Sequence, residues 1–413
     1  METRKDLLDG AVEFSMNELE YIADNIGPRA PGSAEEAECQ DHLMQAVKDG
    51  GWADEYEEER FSVTPTAFYS FVRFIPIAFI IGWALCYVSP IITFVCTILG
   101  LLDVVLEFLL YKQVNDKFLT KAVSKNVWAT RKASGEVKRR IVIDGHPDSC
   151  YEWSAFYHMG IFGLAIGPIL SSIGAIFTLA VCIYYFCMGD ATLMGEPNGI
   201  WWISQLLWVN LPGVILLWIF VDYNKLSPGV NDNLTGCTAA ISVLKYLSEA
   251  GIRYENTEVV AMLGGSEECG LRGTKYHAKT HRDEIKSSGV ETVFIAVDTL
   301  TDIDCMKIYS RDKTGTIKNS TRVSMLLDEA AKSTGRYPDG LEWASVYLGA
   351  SDAVSFTEEG LEAGTLAAMD PTVPPYYHTR RDTMEYANPK TLEAGYDILI
   401  HAVDYFDKNG LPQ

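Results

Sequence analysis

The chain is short of positive charge. Across 413 residues, 34 lysines and arginines face 55 aspartates and glutamates, for a net charge of −21. Nucleic-acid binding needs a basic surface to displace counterions from the phosphates, so nucleic acid is excluded as the main partner. Glycine (33) and cysteine (9) stand at ordinary levels, which excludes a collagen-like repeat and a disulfide scaffold. No cysteines stand at metal-finger spacing and four lie inside apolar stretches, in keeping with a reducing compartment. An apolar leader is missing from Met1–Glu18, which is heavily charged. The low hydropathy expected of so acidic a chain is missing too, since mean hydropathy is +0.05. Apolar residues must therefore be concentrated somewhere.

Charge is almost absent from residues 68–112 and 158–221, where only Arg73, Asp103, Glu107, Lys112, Asp190 and Glu196 interrupt 109 residues. The other 304 residues carry 32 basic and 51 acidic side chains, an ordinary globular density. Each apolar block divides in two: Phe71–Val88 and Ile91–Tyr111 about Ser89-Pro90, then Met159–Met188 and Trp201–Val221 about Gly189–Gly199. Such pieces approach the ~20 apolar residues that cross a bilayer, with Tyr111, Trp201, Trp202 and Trp218 at segment ends. Gly163, Gly167 and Ser171 make a small-residue stripe on which another helix can pack closely. A soluble hydrophobic cap is the competing explanation, but four pieces with almost no polar face exceed what one core shelters.

The hairpin tips contain no basic residue, whereas Lys112, Lys117, Lys121, Lys125, Arg131, Lys132 and Lys225 lie on the other side. The positive-inside rule then predicts an integral membrane protein of four spans, with the rest of the chain and both termini in the cytoplasm. Folding the first hairpin at residue 90 places Arg73 and Glu107 at equal depth, which predicts that they pair. Asp103 is expected to face the bundle interior or the soluble part.

Outside the apolar blocks, short β-rich runs (Arg140–Asp144, Glu258–Leu263, Thr292–Val297, Ala363–Ala367) alternate with amphipathic helices such as Thr235–Ala250. This predicts an α/β fold, with a mixed, largely parallel central sheet flanked by helices and a four-helix transmembrane bundle formed by the two inserted hairpins. The segmentation is 1–67, 113–157 and 222–413 for the soluble domain, with hairpins at 68–112 and 158–221. Ligands of such sheets bind at the carboxyl ends of strands. There the chain reads Gly145-His146-Pro147-Asp148-Ser149, then Gly264-Gly265-Ser266-Glu267-Glu268-Cys269-Gly270, then Asp298. Asn231-Asp232-Asn233 opens the Thr235 helix, and Tyr376-Tyr377-His378-Thr379 follows the last strand. Imidazoles with carboxylates and no thiolate suit Zn²⁺ with open positions, and a spare glutamate suits hydrolysis at two metals.

These motifs resemble the M28 family of metallopeptidases, the bacterial aminopeptidase type with glutamate carboxypeptidase and glutaminyl cyclase relatives. The likeness starts at Gly27-Pro28-Arg29-Ala30-Pro31-Gly32-Ser33 and ends at Tyr377-His378-Thr379-Arg380-Arg381-Asp382-Thr383. It implies two zinc ions, with His146 and Asp298 on one, Glu268 and His378 on the other, and Asp232 bridging them. Glu267 would be the general base, taking a proton from the attacking water and passing it to the leaving amine. Asp148 would orient the His146 imidazole, and Tyr376 or Tyr377 would stabilise the tetrahedral intermediate.

A lone histidine or an acid pair is more often a solvated loop feature, and only their company sets His146 and Glu267-Glu268 apart. Asp302 and Asp304 lie close behind Asp298 as competitors. His277 and His281, four apart among Lys275, Lys279 and Arg282, read as a solvated basic face. The chain departs from the family pattern in the 85 residues between His146 and Asp232, and in Ser351-Asp352-Ala353, where the family commonly has His third. The second hairpin leaves the sheet soon after His146, so the bundle is expected beside the site.

The expected function is a membrane-integrated di-zinc aminopeptidase with its site facing the cytoplasm, acting on peptides that are apolar or lipid-associated. Hydrolysis of lipid- or acyl-linked amino acids is the alternative in the same reaction class. A catalytically inactive membrane receptor or scaffold is the alternative in another, opposed by the filled ligand positions. Sequence leaves the oligomeric state open.

Overall fold

The computed structural model describes residues 3–86, 88–187, 202 and 205–413. Its strands are β1 (Glu55–Val63), β2 (Ala122–Arg131), β3 (Arg139–Gly145), β4 (Tyr151–Glu152), β5 (Asp222–Leu226), β6 (Thr257–Leu263), β7 (Glu291–Leu300), β8 (Met306–Asp312), β9 (Ile317–Lys318), β10 (Glu342–Ser345) and β11 (Glu362–Ala368). The chain divides into two compact units, one made of 1–65, 121–150 and 226–413, the other of 66–120 and 151–225.

The first unit holds a nine-stranded sheet of order β1-β2-β6-β3-β7-β11-β8-β10, with β9 paired to β8. Its centre, β6-β3-β7-β11, is parallel. "Largely parallel" overstates the rest, because β1, β2 and the step from β11 to β8 run antiparallel. Alternation along the central strands feeds two cores. Ile141, Ile143, Val259, Ala261, Val293 and Ile295 point into the larger, beneath the helices Lys5–Asn25, Ala34–Gly50, Thr235–Glu249 and Pro389–Asn409. Val142, Val260, Met262, Phe294 and Ala296 point into the smaller, where Phe294 stacks on Phe356 with centroids 3.9 Å apart. A parallel sheet covered on both faces needs strands apolar on both sides, and Ile141-Val142-Ile143 supplies that.

In the second unit, helix Phe71–Leu85 packs on Pro90–Asp103, which continues as a wider turn through Leu109. Gly82 permits the approach, since a Cβ there would lie 3.2 Å from Cys96 Cβ, and its carbonyl accepts the Thr93 hydroxyl at 2.7 Å. The buried Trp83 donates its indole N–H to Thr178 of helix Ile161–Cys187 at 2.9 Å. Of the small-residue stripe, Gly167 faces the Leu216–Leu217 backbone as expected, whereas Gly163 faces the carbonyl of Ala155 in the preceding short helix. Among the described residues, two helices, Pro90–Leu109 (20 residues) and Ile161–Cys187 (27), are long and apolar enough to cross a membrane by length and composition; Phe71–Leu85 and Leu206–Trp218 are shorter. The tip with Asp190 and Glu196, Trp201 included, lies outside the described residues.

Arg73 does not pair with Glu107. Its guanidinium donates to the Val221 carbonyl at 3.1 Å and lies over the Trp218 ring. Glu107 instead accepts the Asn115 main-chain N–H at 3.0 Å, and the Asn115 amide donates to Asp103 at 2.5 Å. Equal depth in a two-helix hairpin ignores the fourth apolar segment, whose buried Val221 carbonyl takes the arginine instead.

Candidate metal centre

The site is built where β3, β6 and β7 end and the helix Thr235–Glu249 begins. Gly145 closes β3, and a Cβ there would sit 2.4 Å from the Gly236 carbonyl carbon. One on Gly236 would sit 2.2 Å from the Val297 carbonyl oxygen. Only glycines allow this approach, which brings the Asp232 loop up to His146.

His146 Nε2 lies 3.6 Å from Asp232 Oδ1, and His378 Nε2 lies 3.2 Å from Asp232 Oδ2. Each oxygen of Asp232 thus faces a different imidazole. His146, Asp232 and Asp298 offer ligand atoms within 4.8 Å of one another, as do Glu268, His378 and Cys150. Glu268 Oε2 is 3.4 Å from His378 Nε2, and Glu267 Oε2 is 3.8 Å from His146 Nε2. The residues singled out by spacing therefore converge, and Asp298 stands in the cluster. Asp302 is occupied elsewhere, accepting the Tyr376 hydroxyl at 2.9 Å and the Asp370 N–H. The Cys150 thiol, which the strand-end motifs did not include, also lies within reach of the second group, that of Glu268 and His378.

Two tyrosines left open by the sequence now differ. Tyr376 is buried with its hydroxyl on Asp302, whereas the Tyr377 ring stacks on the His378 imidazole at 3.8 Å. Only Tyr377 borders the ligand cluster.

Three further buried residues hold the cluster in place. The Asp148 carboxylate lies 3.5 Å from His146 Nδ1 and also accepts the main-chain N–H groups of Glu267 and Glu268, each at 3.0 Å. Asp382 accepts the N–H groups of Asn231 and Asp232 at 2.9 and 3.1 Å. Arg29, fully buried, donates to the carbonyls of Gly27, Pro147, Pro228 and Gly229. Its motif was readable in Gly27–Ser33, but its partners Pro147, Pro228 and Gly229 lie 118 to 200 positions away.

Burial pushes Glu267 and Glu268 well above the ordinary carboxylate range, His146 offsetting this and neighbouring acids adding to it. Asp298 is raised to about 7, chiefly by burial and then by Asp232. His146 is raised despite burial, by Glu267, Asp148 and Asp298. Burial would also raise Asp232, but the His378 contact and the imidazole charges bring it below its ordinary value. Among the described residues, buried Glu268 Oε1 finds no hydrogen-bond donor, and buried Asp232 Oδ2 meets the His378 ring rather than a main-chain or hydroxyl donor. Crowded acids facing imidazoles, with a donor-free oxygen among them, call for cations, and the donor set fits zinc.

Residues 213–403 match the model of peptidase family M28. That stretch carries every residue proposed for the site except His146 and Asp148. A 199-residue stretch is 26% identical to aminopeptidase YwaD of Bacillus subtilis (strain 168), covering 47% of this chain and 41% of the relative. The match thus spans about two fifths of that curated relative's length. Among solved structures, the aminopeptidase from Aneurinibacillus sp. strain AM-1 superposes with a TM-score of 0.56 at 16% identity, over 98% of this chain and 96% of that one. The zinc aminopeptidase BSAP from Bacillus subtilis gives 0.55 at 14% identity, over 95% and 94%. A glutaminyl cyclase from an Acidobacteriales bacterium gives 0.55 at 14%, over 97% and 95%. These likenesses show that the fold is shared.

Proposed function

We propose that the protein is a zinc metallopeptidase of the aminopeptidase type, holding two metal ions and integrated in a membrane. The observation that carries the reading is the Asp232 carboxylate, with one oxygen toward His146 and the other toward His378. A single carboxylate between two ligand clusters is the arrangement a two-metal hydrolase requires. His146 and Asp298 would hold one ion, Glu268 and His378 the other, with the Cys150 thiol beside the second.

Two zinc ions there supply an activated water at neutral pH and polarise the carbonyl to be attacked. The protein's own groups do the rest. Glu267 stands beside His146 with a carboxyl disposed to keep a proton, so it can accept one from water and deliver it to the departing amine. Asp148 holds the Glu267-Glu268 turn and the His146 ring in a common frame. Tyr377, whose ring stacks on His378, would donate to the developing oxyanion.

The inside-out second unit supports the membrane reading. Leu99, Ile176 and Val209 are 59%, 70% and 71% exposed, while Thr93, Thr97 and Thr178 are buried. Water penalises that arrangement and a bilayer rewards it. Four spans and a cytoplasmic site follow from the same segments and from the basic residues on one side of them. The second segment of the second unit begins at Tyr151, five positions after His146 in the sequence, which supports apolar or lipid-associated peptides as substrates.

Detergent-purified protein tests the reading by zinc content and by turnover of a peptide and acyl-amide library, against Glu267→Gln. The variant is expected to keep its zinc and lose ~10²–10⁴-fold in kcat. An inactive wild type, or equal turnover by the variant, overturns the peptidase reading; activity confined to acyl-amides transfers it to lipid-linked substrates. Glu196→Cys is expected to label from outside intact cells.

A further inference from the structure

On the face of the sheet opposite the larger core, helix Arg272–Ser287 lies over β1 and β2. Its His277 and His281 are one turn apart and share a face, their ring centroids 4.5 Å apart. They do not form a solvated basic face. Both rings turn to Glu59 of β1, with His277 Nδ1 2.7 Å from Oε1 and His281 Nε2 2.9 Å from Oε2. The three donor atoms lie within 4.8 Å of one another.

We propose that Glu59, His277 and His281 form an additional site for a divalent transition metal, apart from the centre at Asp232. Two imidazoles and a carboxylate favour zinc, cobalt, nickel or copper over calcium and magnesium, which take oxygen ligands. Tetrahedral zinc at ~2.0–2.1 Å from each ligand needs donors roughly 3.3 Å apart. The two His–Glu59 distances, 2.7 and 2.9 Å, lie about half an ångström short of that.

The surroundings are those of a built site. Asn126 donates its amide to Glu59 Oε1 at 2.8 Å, holding the carboxylate. His281 Nδ1 faces Glu284 at 3.5 Å, so the ring has a carboxylate on the side away from Glu59. Outer partners of this kind fix tautomer and ring orientation in metal sites. Trp128 packs edge-on against both imidazoles, at 5.2 and 6.4 Å. Both histidines also line a cavity of about 260 Å³ with Trp128, Met262, Ile285 and Phe294, which leaves room for water at a fourth position. A metal here ties the helix that follows the Glu267-Glu268 turn to the strand at the sheet edge.

The test is equilibrium dialysis of metal-stripped, full-length protein against zinc, with the bound metal counted by mass spectrometry. His277→Asn/His281→Asn and Glu59→Gln are each expected to hold one equivalent less than wild type, and zinc is expected to raise their Tm by less. Equal zinc content in wild type and variants overturns the proposal. If the double variant fails to fold, Glu59→Gln alone decides, since it keeps the size of the side chain. The readout is a difference between wild type and variant, so it stands whether the centre at Asp232 holds two ions, one or none. Failure of the peptidase reading would instead appear as unaltered substrate with this difference intact.

Discussion

The carboxylate of Asp148 accepts the main-chain N–H of Glu267 at 3.0 Å. A residue two positions beyond one proposed ligand therefore sets the turn that presents the proposed general base and the next ligand. Asp148→Ala is expected to lower kcat/KM and zinc affinity together, by ~10–100-fold each. A fall in kcat/KM with zinc affinity untouched would assign Asp148 to the Glu267 turn alone.

The adjacent tyrosines are expected to separate cleanly. Tyr376→Phe loses the bond to Asp302 and should cost about 1 kcal/mol of stability with activity kept. Tyr377→Phe keeps the fold, and its kcat is expected to fall by roughly 10²-fold with little change in KM, the loss of one oxyanion donor. Denaturation midpoints and steady-state kinetics on both variants check this.

Glu36 gives a pH signature. Burial and the nearby Asp148 charge raise it from 4.5 to about 8, although Ser124, Gly32 and Ser266 donate to it. The folded protein keeps this proton to a higher pH than the unfolded chain. Glu36 therefore has no effect near pH 4 and destabilises progressively as the pH rises toward 8, by up to about 4 kcal/mol. Denaturation of metal-free protein from pH 4 to 9 is expected to show this downward slope in wild type and to lack it in Glu36→Gln.

In the second unit, Gly167→Leu drives a side chain into the Leu216–Leu217 backbone, 3.2 Å from where a Cβ would stand. Overpacking of this kind costs about 1–3 kcal/mol, read as a lower midpoint in detergent. Ile176→Leu, on the exposed face, is expected to change it little.

The proposed ligands were legible because most of the motifs are local: His146 follows β3 directly, Glu267 and Glu268 come within five positions of the end of β6, and Asp298 lies near the end of β7. The helix Thr235–Glu249 was legible from its apolar period and the Gly251 stop. What stayed hidden depends on distant packing. Asp382 finds Asn231 and Asp232 across 150 positions, and Arg29 serves three loops at once. His277 and His281 were misread because Glu59, 218 positions earlier, comes beside them only through β1. Tyr376 and Tyr377 could not be ranked because the turn, and not the residue type, decides which ring points inward.

Ser227 donates its main-chain N–H to the Cys150 carbonyl at 2.8 Å, and Arg29 ties Pro147 to Pro228 and Gly229. Val63 and Ala122 are likewise paired across β1 and β2. At both excursions of the chain, departure and return are thus neighbours within the sheet-bearing unit. One excursion leaves and returns within a β-hairpin, the other beside the His146 loop. The catalytic scaffold is stitched shut at its own seams, so lengthening either excursion adds only the slowly growing entropy of a longer loop. Segments of almost any length can be exchanged at these two points while the register of the sheet, and the spacing of the proposed ligands on it, stays the same.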